Sequence, residues 1–182
     1  FVSQKMAVAY PMFCLGFKVP VSAPGRTVKE KVATALLLEI IAGDASPLYK
    51  RLINAGLIND EFGFEYFTGH GYAAVMFEGE SSDPEKVAAE IKAEIERIKT
   101  DGIDKKLFSA VRCGMYGDAV RSFNSVESIT MNLVNCAMFG CGLFDELKYL
   151  KSITAEDVLK RLQLLDADKS VLSVIEPTEE QR

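Results

Sequence analysis

The chain has 182 residues, 48% of them apolar and 26% charged, with a formal net charge of −5 at pH 7. That length supports one domain with a sizeable core, and the acidic balance argues against nucleic acid or an anionic membrane surface as partner. No run of about eighteen apolar residues is free of charge, so no membrane span is expected.

The first residue is Phe1, not Met, and a strand-like run begins within ten residues of it. No leader is expected, and the chain reads as one domain over 1–182, a segment of a longer polypeptide. Residues Ala7 to Val19 are rich in β-favouring types such as Val8, Tyr10, Phe13, Leu15 and Phe17. They predict a central strand buried on both faces, with Pro11 as a local irregularity. Pro20, Pro24 and Gly25 break that run, and Thr27 with Glu30 three positions on reads as a capping box. The helix it opens, Val28 to Ala42, is apolar almost all round and should be deeply packed.

Gly43 to Asn59 carries the densest set of local signals. Gly43 stands where a helix end favours positive φ; Ser46 reads as the N-cap and Pro47 as the first residue of a second helix. That helix presents Leu48, Leu52 and Ala55 on one side and stops at Gly56. A hairpin follows, Phe62 to Thr68 and Tyr72 to Glu78, joined by the three-residue loop Gly69-His70-Gly71.

Asp83 and Pro84 open the next helix, with Val87, Ile91, Ile95 and Ile98 as its inner stripe. Glu90, Lys92, Glu94, Glu96 and Lys99 read as its solvated face. Gly102 ends it. Asp104 caps a helix with Leu107, Phe108, Val111 and Met115 inward, and Asn124 with Glu127 forms a capping box for one with Ile129, Leu133 and Ala137 inward. Gly140 and Gly142 close that helix. Thr154, with Glu156 and Asp157 in the first turn, starts a last helix through Val158, Leu159 and Leu162. Val171 to Ile175 is a closing strand, and a frayed polar tail is expected from Pro177. Strands in pairs with helices grouped between them indicate α+β, a mostly antiparallel sheet with helices packed on one face.

The sequence holds little catalytic chemistry. A catalytic zinc needs three protein ligands and an open position, and His70, between two glycines, is the one histidine. It reads as a solvated turn residue, with completion of another chain's site as the alternative. No inverted zinc motif and no phosphate loop occurs, since Gly114 and Gly117 sit in a helical pattern. A Ser or Cys nucleophile would have only His70 as imidazole base. The cysteines Cys14, Cys113, Cys136 and Cys141 form no Cys-x-x-Cys pair and read as reduced core thiols, with a disulfide or a metal or redox role as alternatives. Glu39, inside Leu36-Leu37-Leu38-Glu39-Ile40-Ile41, must be paired if buried; it is a structural anchor or a site residue. Asp60 and Glu61 read as a solvated turn, Lys50 and Arg51 as surface charges or a substrate or interdomain contact, and Met115, Met131 and Met138 as core filler.

With those residues laid out, the chain resembles the C-terminal half of metallopeptidases of the pitrilysin or insulinase type, the M16 family, in its bacterial processing-protease-like branch. The likeness rests on Leu37-Leu38-Glu39-Ile40-Ile41-Ala42-Gly43, Ser46-Pro47-Leu48-Tyr49-Lys50-Arg51-Leu52, Gly56-Leu57-Ile58, Asn124-Ser125-Val126-Glu127-Ser128-Ile129 and Leu150-Lys151-Ser152-Ile153-Thr154-Ala155-Glu156-Asp157-Val158. The resemblance implies two homologous halves that face each other as a clam shell. The N-terminal half would carry zinc and the catalytic glutamate; this half, without metal or cofactor, would close over a peptide substrate. It also implies an Arg after the Leu of the short helix and a Tyr after the Gly-Leu segment, where this chain has Ile53 and Asn59. Arg51 and Tyr66 are the candidates to stand in, and Arg51, Asn59, Glu65 and Tyr66 together form the expected substrate-cleft set. A cytoplasmic location is expected, and a homodimer of the isolated domain could form through the surface meant for the other half. The alternatives are an inactive peptidase-like scaffold or peptide-binding subunit, and an unrelated α+β enzyme.

Overall fold

The computed structural model describes residues 1–20, 28–69 and 71–178. Five strands make one sheet: β1 (Val2–Met6), β2 (Met12–Lys18), β3 (Gly63–Gly69), β4 (Tyr72–Glu80) and β5 (Ser170–Pro177). Their spatial order is β1-β5-β2-β4-β3. Every pairing is antiparallel except β1 with β5, which run parallel with Val2 beside Ser173.

Around the sheet stand α1 (Val28–Ala42), α2 (Pro47–Asn54), α3 (Pro84–Asp101), α4 (Lys105–Ser122), α5 (Val126–Phe139), α6 (Asp145–Ser152) and α7 (Ala155–Leu162). Alternation decides which sheet face they cover. Phe13, Leu15 and Phe17 of β2, Ala73, Val75 and Phe77 of β4, and Leu172 and Val174 of β5 are buried on one face. Phe17 and Phe77 meet edge to face with ring centroids 6.1 Å apart. The other face, with Met12, Glu78, Val171 and Ser173, is exposed. The α+β reading therefore holds, but β2 is buried on one face, not two.

Helix α1 is the hub. Leu36, Leu37, Leu38, Ile40 and Ile41 are all buried, and α1 packs against α2, α3, α4, α6, α7 and β3. The span 28–54 is apolar enough by length and hydropathy to cross a membrane, yet it breaks at 43–46 and α1 spends its apolar surface on the core. The second helix begins as expected: Ser46 is buried and its side chain accepts the Tyr49 amide at 3.0 Å. Gly43 does not take positive φ. A β-carbon there would lie 2.7 Å from the Glu39 carbonyl oxygen, so close approach is what excludes a side chain. Gly56, at φ +63°, is the residue that turns left-handed, and Ala55 is an exposed cap rather than an inner residue.

Several boundaries differ from the sequence pattern. The first strand is not Ala7–Val19: it starts at Met12, since Pro11 has no amide to give a ladder. A separate strand, β1, precedes it. Its residues are all exposed and carry no apolar alternation, because this edge strand joins the sheet through its pairing with β5 and covers no core. Gly69 pairs with Tyr72, so the hairpin connection has two residues, not three. Ser125, not Asn124, caps α5, accepting the Ser128 amide at 3.2 Å.

Nor is α5 a core helix. Leu133, Met131 and Met138 are 51%, 56% and 72% exposed, and Ala137 is exposed as well. Met115 alone of the three expected filler methionines packs against the core. Helix α6 lacks a side-chain cap, which is why no start signal marks it in the sequence. The assignments made for Pro24, Gly25, Thr27, His70 and residues 179–182 lie outside the described residues.

Because Leu37 is fully enclosed, Leu37→Ala should lower stability by about 2–5 kcal/mol. Leu133→Gln on the exposed side of α5 should stay within about 0.5 kcal/mol. Urea unfolding followed by circular dichroism reads both.

Candidate functional site

Arg51 lies on the outer side of α2, where Leu48 and Leu52 turn inward, and this aims its guanidinium at α3. There it meets Glu94, which is 2% exposed and so not on a solvated face. Arg97, one turn on, donates from Nη2 to Glu94 Oε1 at 2.7 Å and from Nε to Oε2 at 3.2 Å. Arg51 Nη2 donates to Glu94 Oε2 at 3.2 Å and lies 3.6 Å from Glu90 Oε2. Burial opposes ionisation of Glu94, but the hydrogen bonds and charges of Arg97 and Arg51 outweigh it, so its carboxyl sits below the usual range. Lys99 is also drawn inward, donating to the Leu165 carbonyl at 2.6 Å. Arg51 is thus a clamp between α2 and α3, engaged by two carboxylates.

Tyr66 is on the helix-covered face of β3. Arg161 of α7 donates from Nη2 to the Tyr66 hydroxyl at 3.0 Å and lies over its ring at 5.9 Å. The same guanidinium donates from Nε to the buried Thr34 hydroxyl of α1 at 2.9 Å. One side chain therefore ties β3, α1 and α7 together. At the start of α7, Thr154 and Asp157 form a capping box. Lys29 of α1 donates to Asp157 Oδ1 at 2.7 Å. That hydrogen bond, with the Thr154 amide, lowers the Asp157 carboxyl to about 2.

Asn59 and Glu65 belong to the uncovered side. Asn59 Nδ2 donates to Glu80 Oε2 at 2.8 Å, and its Oδ1 accepts the Glu61 amide at 3.0 Å. Around them is an open cleft of about 670 Å³, whose lining includes Met12, Cys14, Asn59, Glu61, Glu78 and Glu80. Gly79 lets the 59–62 loop cross β4, since a β-carbon there would come 2.9 Å from Phe62 Cα. Burial, and then the charge of Glu78, pushes the Cys14 thiol up. Glu65 is exposed on the edge strand opposite Met76, on the same sheet face. Asp60 and Glu61 form an exposed turn, and Lys50 is exposed.

The four expected cleft residues therefore do not converge. Arg51 and Tyr66 are held by the helix layer, whereas Asn59 and Glu65 face the open side of the sheet. Ile53 packs partly buried against the core. Glu39 is half-buried, and no hydrogen bond or ion pair reaches its carboxylate among the described residues. Burial first, then Asp44 and Asp118, raises its pKa. It is neither a paired anchor nor part of a cluster. Glu94 is the residue that sequence reasoning missed; the signal was Arg97 at i+3 on the same helix.

The residues present do not fit zinc: no group of three or more His, Cys, Asp or Glu side chains among the described residues is arranged to hold a metal ion. None of the four cysteines is buried, and Cys113 is exposed, so they are not core thiols.

The model of the peptidase M16 inactive domain matches residues 2–115. The chain belongs to that family. It is an inactive domain of the M16 peptidase type. A Bacillus subtilis (strain 168) protein described as the uncharacterized zinc protease YmfH is 27% identical over 161 residues, covering 87% of this chain and 37% of that protein. The solved structure described as an M16-like peptidase from Alicyclobacillus acidocaldarius superposes with a TM-score of 0.91 at 23% identity, over 97% of this chain and 43% of that one. A structure described as the inactive peptidase domain of a zinc protease from Bordetella parapertussis superposes at 0.77 with 15% identity, over 97% and 95%. The M16 chain thus spans well under half of the first two relatives and nearly all of the third.

Removing both cations from Glu94 in the double variant Arg51→Ala, Arg97→Ala should cost about 3–5 kcal/mol, more than the two single losses added, because a buried carboxylate is left unpaired. Chemical denaturation of the four-member cycle measures it. Asp157 and Glu94 both titrate below their unfolded values. The stability they add is therefore full above about pH 5 and lost as pH falls through their folded values. Lys29→Met should return the Asp157 pKa toward its ordinary value, read by carboxyl NMR titration.

Proposed function

We propose that this M16 domain is the wall and closing half of a zinc endopeptidase, working opposite an N-terminal half that supplies zinc and the catalytic base. The single observation behind this reading is its membership of a non-catalytic peptidase domain family in relatives more than twice its length. Zinc, when bound by the other half, polarises the scissile carbonyl and activates water; this chain's part is to position and enclose. Its open sheet face, with Asn59, Glu65, Glu78 and Glu80, offers polar groups to an extended peptide. The apolar exposed side of α5, including Met131, Leu133, Val134 and Met138, is the candidate seat of the partner half. A cytoplasmic placement is part of the same proposal.

A scaffold without activity is the competing reading, favoured by Ile53 and Asn59 where the family resemblance implies an Arg and a Tyr. The upstream sequence separates the two, since a peptidase requires His-x-x-Glu-His there.

Purified alone, the chain should carry far less than one zinc by elemental analysis and cleave no quenched-fluorescence peptide library. Adding a separately expressed N-terminal half that bears the zinc motif should produce cleavage. Metal-dependent cleavage by this chain by itself would overturn the proposal. The double variant Met131→Glu, Met138→Glu should keep its circular dichroism yet lose association with that half; unchanged association would exclude α5 as the seat.

A further inference from the structure

Helix α5 ends at Gly140, which takes φ +65°. The Gly140 amide donates to the Cys136 carbonyl, and the Cys141 amide donates to the same oxygen at 3.1 Å. This six-to-one closure is the Schellman form of helix end, in which the side chains of the two joined residues commonly meet. At most helix ends that meeting is an apolar contact. Here both joined residues are cysteines, Cys136 and Cys141. Both are partly exposed and border one cleft of about 320 Å³ between α1, α4, α5 and α6, beside Ala35, Met115 and Leu147.

We propose that Cys136 and Cys141 are a reversible dithiol–disulfide pair, oxidised by a small disulfide of the glutathione type, whose bond staples the end of α5. Burial, the neighbouring Cys141 and nearby acidic charges push the Cys136 thiol up. One of the two thiols gives its proton to solvent, and its thiolate attacks one sulfur of oxidised glutathione; a mixed disulfide forms and one glutathione leaves as thiolate. The other thiol then gives its proton to solvent, and its thiolate attacks the protein sulfur of the mixed disulfide and expels the second glutathione. Two protein thiols are oxidised, one external disulfide is reduced to two thiols, and the two protons end on glutathione.

The pair sits where a staple has most to do. Among the described residues α4 and α5 have no fully buried side chain, but α4 packs Leu107, Phe108, Val111 and Met115 against the core and α5 packs none, so α5 is the helix least held by it. Cys113, on the exposed side of α4, and Cys14, on the sheet, have no thiol partner.

The 182-residue chain, incubated folded with oxidised glutathione, then alkylated and mapped by mass spectrometry, should show one intrachain link joining Cys136 to Cys141. Cys136→Ser and Cys141→Ser should each abolish it, while Cys14→Ser and Cys113→Ser should leave it. Gly140→Ala should slow closure about fivefold by penalising the left-handed cap. Hydrogen exchange of the last α5 amides should slow severalfold on oxidation and recover with reductant. Both thiols remaining open to alkylation, a mixed disulfide that never resolves, or links solely between chains would overturn the pair. Equal closure in Gly140→Ala would overturn the cap as its cause.

Discussion

A fifteen-residue helix that must be dry on nearly every side sets the terms for the rest of this molecule. Helix α1 has no polar stripe to offer water: Leu36, Leu37, Leu38, Ile40 and Ile41 follow one another with Glu39 as the single interruption. Burying such a helix takes more than a sheet beneath it, because a sheet covers one side. Helices α2, α3, α4, α6 and α7 are therefore gathered round α1. The grouping of helices on one face follows from that requirement.

The same requirement explains where the charges went. A helix layer built round a central helix creates helix–helix seams, and arginines close them with ion pairs and hydrogen bonds. Arg51 and Arg97 hold Glu94 between α2 and α3, and Arg161 links Tyr66, Thr34 and α7. Such pairs place elements relative to one another more than they add net stability, since the cost of desolvation nearly cancels the attraction. Two residues that looked suited to a substrate are spent in this way. The uncovered sheet face and α5, by contrast, keep their groups exposed, and there the M16 domain has surface to present.

Local signals of helix start were legible wherever a side chain touches its own backbone. Ser46-Pro47, Asp83-Pro84, Asp104 and Thr154 all cap as the sequence suggests, because a cap needs only the next three residues. The apolar stripe of α3 was equally plain. Glu94 was not: on a helical wheel it sits beside Glu90, and while Arg97 at i+3 is a local signal, its second cation, Arg51, lies forty-three positions earlier. For α5 the apolar content suggested a core helix, yet composition cannot tell a buried surface from one kept for a partner. Of the cleft candidates, Asn59 and Glu65 face the open side, while Arg51 and Tyr66 point into helix seams; strand parity and a helix's rotation about its axis decide that.

By itself the sequence determined most of the helices, the hairpin and the α+β class, all properties of short-range spacing and residue type. Only the tertiary structure decided that β1 joins the sheet edge, which sheet face stays open, and that Arg51 and Tyr66 are held within the fold. Pairing across the sheet and packing round α1 join residues far apart in the chain, and no local pattern records which distant partner will neutralise a charge.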